Sequence, residues 1–418
     1  MEPAKSYEQK KGFHLFLPFR QSKYFTAIYF GQLISYLGSS ITSVILPIIV
    51  MNLTNSTLAM GSVMSLYSLA FVLILPFSGI IVDRLNRIHV MLVTDLLRFT
   101  LIGFIVSLLV TDYFALTYLY ITMFFMGLLD GLFHPAYASA RAKIFTPEIR
   151  TAANSVTQIS NQAVTLLGPT IGGIIITTFS ASIGLGIDAL TYLLSFFFIL
   201  NLRSMPHLNS SGISSKKTTF LSDFMEGFLV LKGIPWLWIT ILAFSLINIC
   251  TGGIIRVLLP WLINNHHHLE PYVYGLIISA SGIGAIISGV IFGLRKQWRH
   301  RGWIAYGGVG LSGISLLFFP FVNSTPLLMV LMMIEGAGIM MFALIWETSM
   351  QELVPDEKFG RVASLDMLGS FALLPVGYLL TGWGANIISS QSMILLLCSI
   401  ILLIVMLALL HKGIRSFD

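Results

Sequence analysis

The sequence is poor in charge, since Asp, Glu, Lys and Arg make up 10% of its 418 residues. Soluble domains carry about a quarter of their residues as charges, because their surfaces must face water. With 56% hydrophobic residues and a mean hydropathy of +0.86, this chain must place most of its surface against lipid. The composition therefore argues against a soluble all-helical protein.

Cysteines and catalytic signatures are also scarce. Cys250 and Cys398 both fall inside apolar stretches, which argues against a disulfide framework and marks them as packing residues. We find no metal-ligand spacing, no glycine-rich phosphate loop after a strand and no nucleophile motif, so we expect neither an enzyme nor a resident cofactor or metal. The histidine run at 266–268 does not alter this expectation, because consecutive residues do not share a helix face.

What the sequence has instead is a series of apolar runs, each long enough to cross a bilayer. Lipid offers the backbone no hydrogen-bond partners, so runs of this kind must be helices. The predicted spans are 25–51, 58–82, 89–110, 115–140, 153–178, 182–202, 236–263, 272–294, 302–322, 326–352, 362–384 and 390–411. The predicted fold is an all-α integral membrane protein with twelve transmembrane helices.

A polar segment divides the chain into two halves. Residues 203–235 include a stretch rich in Asn, Ser, Gly and Lys, which is typical of a flexible linker. We therefore predict one six-helix bundle over 1–202 and a second over 236–418. Within the linker, apolar residues recur at helical spacing from Phe220 to Leu231, which predicts an amphipathic helix at the membrane surface.

Basic residues predict the orientation. Apart from Arg256, every Lys and Arg falls on one side of the predicted spans if Arg98 is counted with the loop before the third span. The positive-inside rule then predicts a cell-membrane protein with both termini in the cytoplasm. The net charge of +6 is explained by anionic membrane lipids rather than by a nucleic-acid partner. A polar, basic N-terminal segment precedes a full-length span, so we expect no cleavable signal peptide.

The two halves resemble each other weakly. The passage 147–155 precedes the fifth span, and a similar passage at 355–364 precedes the eleventh. Six helices separate the two passages, so both lie on the same side of the membrane. A parallel repeat of this kind is typical of transporters that rock one bundle against the other. We therefore expect two pseudo-symmetric bundles that enclose a central cavity.

The loop after the second span contains the strongest local motif, formed by Gly79, Asp83, Arg84 and Arg87. An ordinary basic loop explains the arginines but not the order Gly-x-x-x-Asp-Arg-x-x-Arg. Glycine lets helices approach closely, Asp can cap a helix, and Arg can hold lipid or a partner acid. The motif and its position resemble the signature loop of the major facilitator superfamily, with Asn86 where that family often has glycine. The resemblance implies a latch between the two bundles on the cytoplasmic side.

The fifth span contains Gly168, Pro169, Gly172 and Gly173. In a membrane these residues allow a kink and close helix contact. The segment resembles the end of the antiporter motif of major facilitator exporters, although the upstream glycines of that motif are absent. It favours export, and generic close packing is the alternative.

Shorter similarities extend along the chain at 133–136, 147–148, 152–154, 187–189 and 360–362. They resemble the branch of the superfamily that contains bacterial macrolide-efflux and enterobactin-exporter proteins. The resemblance implies proton-coupled efflux of an amphipathic small molecule. Many members of this branch have a basic residue in the fourth span, where this chain has Met126.

Charged residues inside spans are costly and are functional candidates by default. Asp130 lies near the middle of the fourth span between Gly127 and Gly131, with His134 one turn further on the same face. A carboxyl group in such surroundings can take up and release a proton, as an antiporter requires. A structural hydrogen bond to a neighbouring helix is the alternative.

Arg256 and Glu335 lie at similar depth in the outer halves of the seventh and tenth spans. We expect an ion pair between them, because an unpaired arginine there is hard to tolerate. The pair is either structural or part of a gate or substrate site. Glu347 lies lower in the tenth span beside Trp346, where an acid next to an aromatic ring suits a lipophilic cation. Glu347 can equally reach the cytoplasmic surface.

Two further polar residues complete the candidates. Gln32 in the first span, near Ser35 and Tyr36, is placed to hydrogen-bond a substrate. Asp188 lies close to the outer end of the sixth span, and we interpret it as interfacial.

These patterns predict a monomeric secondary transporter that exchanges a drug-like or macrolide-like small molecule for protons by alternating access. Asp130, Glu335 and Glu347 are the candidate proton carriers. A carrier of the same fold for a physiological cargo, such as a siderophore or a lipid, is the first alternative. A membrane enzyme or a channel is the second, although no span has the charged ring of a channel.

Overall fold

The computed structural model describes residues 16–204, 228–229, 231–293, 298–415 and 417, without the side chains of a few of them, including Asp83 and Arg84. The described part of the chain is helical and contains no β-strand. Twelve of its helices are long and apolar enough to cross a membrane. The all-α membrane fold predicted from the sequence is therefore confirmed.

We number the membrane helices α1 to α12, and each predicted span falls on one of them. They are α1 Lys23–Thr54, α2 Thr57–Arg84, α3 Arg87–Val110, α4 Leu116–Ile144, α5 Arg150–Thr178, α6 Ala181–Leu200, α7 Pro235–His266, α8 Pro271–Gly293, α9 Arg301–Leu317, α10 Thr325–Leu353, α11 Asp356–Phe371 with Leu374–Ile388, and α12 Ser390–Leu410.

Polar residues in the short junctions begin several helices. The side chains of Ser22, Ser56 and Ser180 accept hydrogen bonds of 3.1–3.2 Å from backbone N–H groups in the first turns of α1, α2 and α6. Asn86 caps α3 in the same way, because its Oδ1 accepts from the N–H of Ile88 at 2.9 Å. The backbone of Asn86 is extended (φ −66°, ψ 121°), so the turn between α2 and α3 needs no glycine at this position.

α7 departs from regular α-helical geometry. It is α-helical over Pro235–Gly253 and then contains two π-helical turns, Ile254–Leu258 and Leu262–His266, on either side of Pro260. Proline has no N–H group to donate, so the carbonyl four residues earlier, that of Arg256, loses its usual partner. The wider π turn accommodates this loss, and such turns are frequent at functional sites.

The twelve helices form two bundles, α1–α6 and α7–α12. Between the bundles, α5 packs on α8 and α2 packs on α11. Glycine makes these approaches possible. A Cβ atom on Gly275 would lie 2.2 Å from the carbonyl oxygen of Pro169, and one on Gly61 would lie 2.4 Å from that of Tyr378.

The two ends of the bundles differ in charge. The end that carries the α2–α3, α4–α5 and α8–α9 junctions holds exposed or half-buried arginines, including Arg87, Arg150 and Arg299. We call this end the basic face and the opposite end the far face. Both ends of the described chain lie at the basic face, because the number of spans is even.

Hydrogen bonds between the bundles lie in the half of the molecule nearer the far face. Among the described residues they join Asn265 to Asn55 at 2.8 Å, Asn264 to Asn52 at 3.4 Å, Thr170 to Ser279 at 2.8 Å, and Thr57 to Asn386 at 3.0 Å and to the Gly382 carbonyl at 3.2 Å. The far face is therefore the closed end of the contact between the bundles.

The predicted linker and amphipathic helix fall mainly on residues 205–227 and 230, which lie outside the described residues. The boundaries at 202 and 236 consequently stay predictions.

Candidate functional site

An ion-pair cluster lies inside the first bundle. Nη2 of Arg98 in α3 lies 2.5 Å from Oδ1 of Asp130 in α4, and Nη1 lies 3.4 Å from Oδ1 of Asp95, one turn earlier in α3. The side chains of Arg98 and Asp95 are 4% and 0% exposed, whereas that of Asp130 is 19% exposed. We call these three residues the charge cluster. Asp130 is the member that solvent reaches.

Neighbouring groups hold Arg98 and Asp95 in place. Oγ of Ser195 in α6 donates to Oδ2 of Asp95 at 2.7 Å. Arg98 also donates to the carbonyl of Leu129 at 3.2 Å, and its guanidinium lies 4.4 Å from the ring centroid of Phe133. Its Nε is buried without a hydrogen-bond partner. Arg98 therefore depends on the nearby carboxylates for much of its stabilisation.

Tyr67 connects the charge cluster to the space between the bundles. Its hydroxyl donates a hydrogen bond of 2.5 Å to Oδ2 of Asp130. The same hydroxyl lies in electrostatic range of Arg256 in the second bundle. Gly127 permits the contact between α2 and α4, since a Cβ there would lie 2.1 Å from the carbonyl oxygen of Tyr67.

Asp188 is another buried acid, and the prediction that it is interfacial is wrong. Its side chain is fully buried, and Oγ1 of Thr42 in α1 donates to its Oδ2 at 2.5 Å. About two helical turns, roughly 10 Å, separate Asp188 from the start of α6 at Ala181. It lies in electrostatic range of Asp130 and Arg98, so it belongs to the same buried group of charges.

Assigning Arg98 to a loop at the basic face was also wrong. Arg98 lies about three turns inside α3, which begins at Arg87, and it is almost completely buried. The available signal was Asp95 three residues before Arg98 within an apolar run, a spacing that places the two on one helix face. The buried base of this bundle thus comes from α3, whereas α4 has Met126 packed in the core.

The expected ion pair between Arg256 and Glu335 is not formed. Glu335 is 4% exposed and accepts a hydrogen bond of 2.8 Å from Ser281 in α8. Arg256 lies instead in the first π turn of α7, in electrostatic range of tyrosine hydroxyls. The similar depth of the two residues did not predict their direction, because the π turn changes the face on which Arg256 lies.

Glu347 lies near the basic face in α10, where it is exposed and accepts a hydrogen bond of 3.0 Å from Gln351. Its neighbour Trp346 does not bind it, since the indole Nε1 donates to Oδ2 of Asp366 in α11 at 3.3 Å. Asp366 is half-buried and lies in electrostatic range of Glu347. No sequence motif singles out Asp366.

Gln32 and His134 have different surroundings in the first bundle. Oε1 of Gln32 is buried and has no hydrogen-bond partner among the described residues. His134 is exposed, one turn after Asp130, and its ring packs edge-on against Phe71 at a centroid distance of 6.2 Å. Phe71 also contacts Phe371 of the second bundle, so His134 lies beside the contact between the bundles.

The loop motif is only partly described. α2 continues to Arg84, but the side chains of Asp83 and Arg84 lie outside the described part of the chain, so the latch stays a prediction. Nε and Nη1 of Arg87 are buried and have no hydrogen-bond partner among the side chains and backbone that the structure describes. No described atom lies within 4 Å of the Cβ position of Gly79, so the close helix approach expected there is absent in this conformation.

The glycines of α5 do make the expected close contacts. Added Cβ atoms would lie 2.2 Å from Oγ of Ser40 at Gly168 and 2.7 Å from the Ile41 carbonyl oxygen at Gly172, so both face α1. At Gly173 a Cβ would lie 2.8 Å from Cα of Tyr272 in α8. This segment, which has Pro169 inside the helix, therefore packs α5 against α1 in its own bundle and against α8 in the other.

Among the described residues outside the membrane spans, the pKa values of Glu148 and His267 are lower than usual. A hydrogen bond with Thr146 lowers the pKa of Glu148 in the α4–α5 loop. Burial and the neighbouring His266 lower the pKa of His267 after α7. Among the described residues, no group of three His, Cys, Asp or Glu side chains is placed to hold a metal ion.

Comparisons with known proteins agree with this architecture. The family model of the Major Facilitator Superfamily matches residues 28–365 and 245–415. The chain is 23% identical to the multidrug efflux pump Tap of Mycolicibacterium fortuitum, over 94% of this chain and 96% of that protein. It is 21% identical to macrolide efflux protein A of Streptococcus pyogenes, over 94% and 97% of the two chains. It is 23% identical to the enterobactin exporter EntS of Escherichia coli, over 93% and 92%.

Solved structures show the same fold. A bacterial homologue of the iron transporter ferroportin, in an inward-facing state, aligns with a TM-score of 0.69 at 18% identity, over 92% of this chain and 96% of that one. The resemblance that the sequence motifs indicated is confirmed.

Proposed function

Because the chain belongs to the Major Facilitator Superfamily of membrane transporters, we propose that it exports amphipathic small molecules in exchange for protons. The exporter would work by alternating access, with its two bundles rocking about a central binding space. Asp130 is the proposed proton carrier.

The excess of acid over base among the charges inside the first bundle is the observation that carries this proposal. Asp95 and Asp130 contact the guanidinium of Arg98, and Asp188 lies within electrostatic range of it. If all three carboxylates were ionised, negative charges would outnumber positive ones inside the membrane. An uncompensated buried charge costs several kcal/mol, so a state with bound protons is favoured.

Asp130 is the member of this group best placed to exchange its proton. Asp95 and Asp188 are fully buried, whereas Asp130 is reached by solvent. Protonation of Asp130 would weaken its ion pair with Arg98, which would then turn towards Asp95. It would also weaken the hydrogen bond from Tyr67. Proton occupancy thus changes the contacts that join α2, α3 and α4.

The direction of transport is proposed from the relatives and from α5. The relatives are named as a multidrug efflux pump, a macrolide efflux protein and an enterobactin exporter. The close-packed segment from Gly168 to Gly173 is consistent with an exporter. The relationship to an exporter of enterobactin also favours the second candidate, a carrier of the same fold with a physiological cargo.

The contacts between the bundles support one assignment of the two faces. Because the bundles are bonded together near the far face, we infer that the binding space opens to the basic face in this conformation. The positive-inside rule makes the basic face cytoplasmic. Cargo would then enter from the cytoplasm or the inner leaflet. Asp83, Arg84 and Arg87 would close the basic face in the opposite state.

Glu335 and Glu347 are less suited to carry the proton. Glu335 is enclosed between α8 and α10, and Glu347 lies exposed near the basic face. Glu335 would help to hold α8 and α10 together. Glu347 would contribute to cargo entry together with Asp366.

The proposal is tested by the accumulation of labelled amphipathic compounds, including macrolides, in cells that express the wild type or Asp130→Asn. The wild type should lower accumulation, and Asp130→Asn or an uncoupler should restore it. Asp112→Asn is the matched control, because Asp112 is exposed, lies after α3 and has a left-handed backbone (φ 58°) that Asn also adopts. If Asp130→Asn exports as well as the wild type, Asp130 is not the carrier.

A further inference from the structure

Arg256 lies inside the membrane without a charged partner. Within the described ranges, no carboxylate lies within 4 Å of its guanidinium, and the guanidinium makes no hydrogen bond or stacking contact. About 15 Å of helix separates it from the end of α7 at His266. Its side chain is nevertheless exposed, so it projects into a space that solvent enters. A guanidinium at this depth in the membrane, with neither counter-ion nor acceptor among the described residues, is costly unless a ligand supplies one.

Tyrosines from both bundles lie within electrostatic range of this guanidinium. The residues in electrostatic range of Arg256 are Tyr36 of α1, Tyr67 of α2, Tyr274 of α8 and Tyr378 of α11. These helices belong to both bundles, so Arg256 faces the space between the bundles and not the lipid. A group bound there would meet one positive charge, several hydroxyl donors and aromatic rings.

The backbone of α7 fixes this position. The π turn over Ile254–Leu258 and the missing N–H of Pro260 set the direction of Arg256. Just before that turn, Gly252 lies against Tyr378, because a Cβ there would be 3.2 Å from the phenol oxygen. Gly253 lies closer still to Thr381, since a Cβ there would be 2.3 Å from Oγ1. The α7–α11 contact therefore places Arg256 and Tyr378 together.

We propose that Arg256 and these tyrosines bind an anionic group of the cargo, and that the cargo is an amphipathic organic anion such as a carboxylate. Guanidinium binds carboxylates through two parallel N–H···O bonds, and phenol hydroxyls add donors. A cationic cargo would be repelled by the unpaired charge. This inference rests on the proposed export function and specifies the chemical class of its cargo.

Tyr67 links this anion site to proton exchange. Its hydroxyl has a single hydrogen, which Asp130 now accepts, and it also lies near Arg256. A cargo carboxylate at Arg256 competes for that hydrogen. When the cargo accepts it, Asp130 loses one of the partners that now hold its carboxylate.

The test is the binding of three fluorescent probes of equal size to the purified full-length protein: pyrenebutyrate, pyrenebutyramide and pyrenebutylamine. The wild type should bind the carboxylate at least tenfold more tightly than the neutral amide, and the amine most weakly. Arg256→Gln should weaken carboxylate binding about tenfold and leave amide binding within twofold. Arg256→Lys should keep a preference for the carboxylate. Arg415→Gln, at an exposed site at the basic face, is the control and should bind like the wild type.

Equal binding of the three probes by the wild type, a preference for the amine, or no binding at all would overturn the proposal, and none of these results depends on the folding of a variant. An unchanged probe order in a folded Arg256→Gln protein would overturn it as well. Binding requires no gradient, so these results are independent of export. Export that depends on a pH gradient but favours neutral or cationic compounds would leave the proposed function standing and refute only the anion site.

Discussion

The hydroxyl of Tyr67 and the carboxylate of Asp130 are joined by a hydrogen bond of 2.5 Å across the α2–α4 contact. The other carboxylate oxygen of Asp130 binds Arg98 of α3. One side chain thus ties three helices together through two bonds, and both bonds are strongest when Asp130 is ionised. A proton on Asp130 would weaken both at once, as the proposed role of this residue in proton exchange requires.

Tyr67→Phe removes the bond to Asp130 and keeps the ring. We expect a loss of about 1 kcal/mol in stability and a several-fold fall in export rate, because the direct bond between α2 and the proposed proton carrier is then absent. Thermal unfolding in detergent and vesicle transport measure the two effects. Tyr113→Phe, at an exposed far-face position, is the control and should change neither. Equal export by both variants would show that the Tyr67 bond has no role in transport.

Arg98→Gln should destabilise the fold by about 3–5 kcal/mol, because it leaves the buried carboxylate of Asp95 without a basic partner among the described residues. The double variant Arg98→Gln/Asp130→Asn should recover part of that loss, since it also removes one of the acids. Thermal unfolding of the single and double variants gives the coupling energy between the two sites. Additive effects would mean that the ion pair contributes nothing to stability.

Joining the bundles at the far face should stop transport. Oδ1 of Asn55 accepts from Nδ2 of Asn265 at 2.8 Å, so cysteines at these positions can be crosslinked. In a background with Cys250→Ala and Cys398→Ala, we expect oxidant or a short bifunctional reagent to abolish export, and reductant to restore it after oxidation. Each single cysteine variant is the control. Full activity of the crosslinked protein would contradict alternating access.

Gly172→Ala should destabilise the protein, because the new Cβ would lie 2.7 Å from the carbonyl oxygen of Ile41 and α1 must move away. We expect a loss of about 1–3 kcal/mol and lower export. Gly103→Ala is the matched control, since nothing lies within 4 Å of its Cβ position and alanine favours the helix. Thermal unfolding of the two variants should give changes of opposite sign, and equal changes would show that α5 does not need glycine here.

The sequence predicted the membrane fold well, because span length, loop charge and motif order are local properties. The twelve spans, the close packing at Gly168 and Gly172 and the position of Asp130 inside the fourth span all followed from residues near each other in the chain. Hydropathy and glycine spacing directly report what lipid and close helix contact require.

The partners of the buried charges did not follow from the sequence, because side-chain direction depends on contacts between distant helices. Arg98 looked like a loop residue from its neighbours in sequence, yet its ion pair is with α4. Glu335 accepts a hydrogen bond from Ser281 of α8 and does not pair with Arg256. The direction of Arg256 depends on a π turn that no local motif predicted. Asp188 was expected at the membrane interface, but it is fully buried and accepts a hydrogen bond from Thr42 of α1.

Transport into everted vesicles tests the central claim of proton exchange through Asp130 most directly. Wild-type protein and Asp130→Asn are compared with the pH gradient present and after nigericin has collapsed it. We predict gradient-dependent uptake of labelled cargo by the wild type, loss of that uptake with nigericin, and no gradient dependence in Asp130→Asn. Wild-type uptake that continues undiminished after the gradient is collapsed would contradict proton coupling.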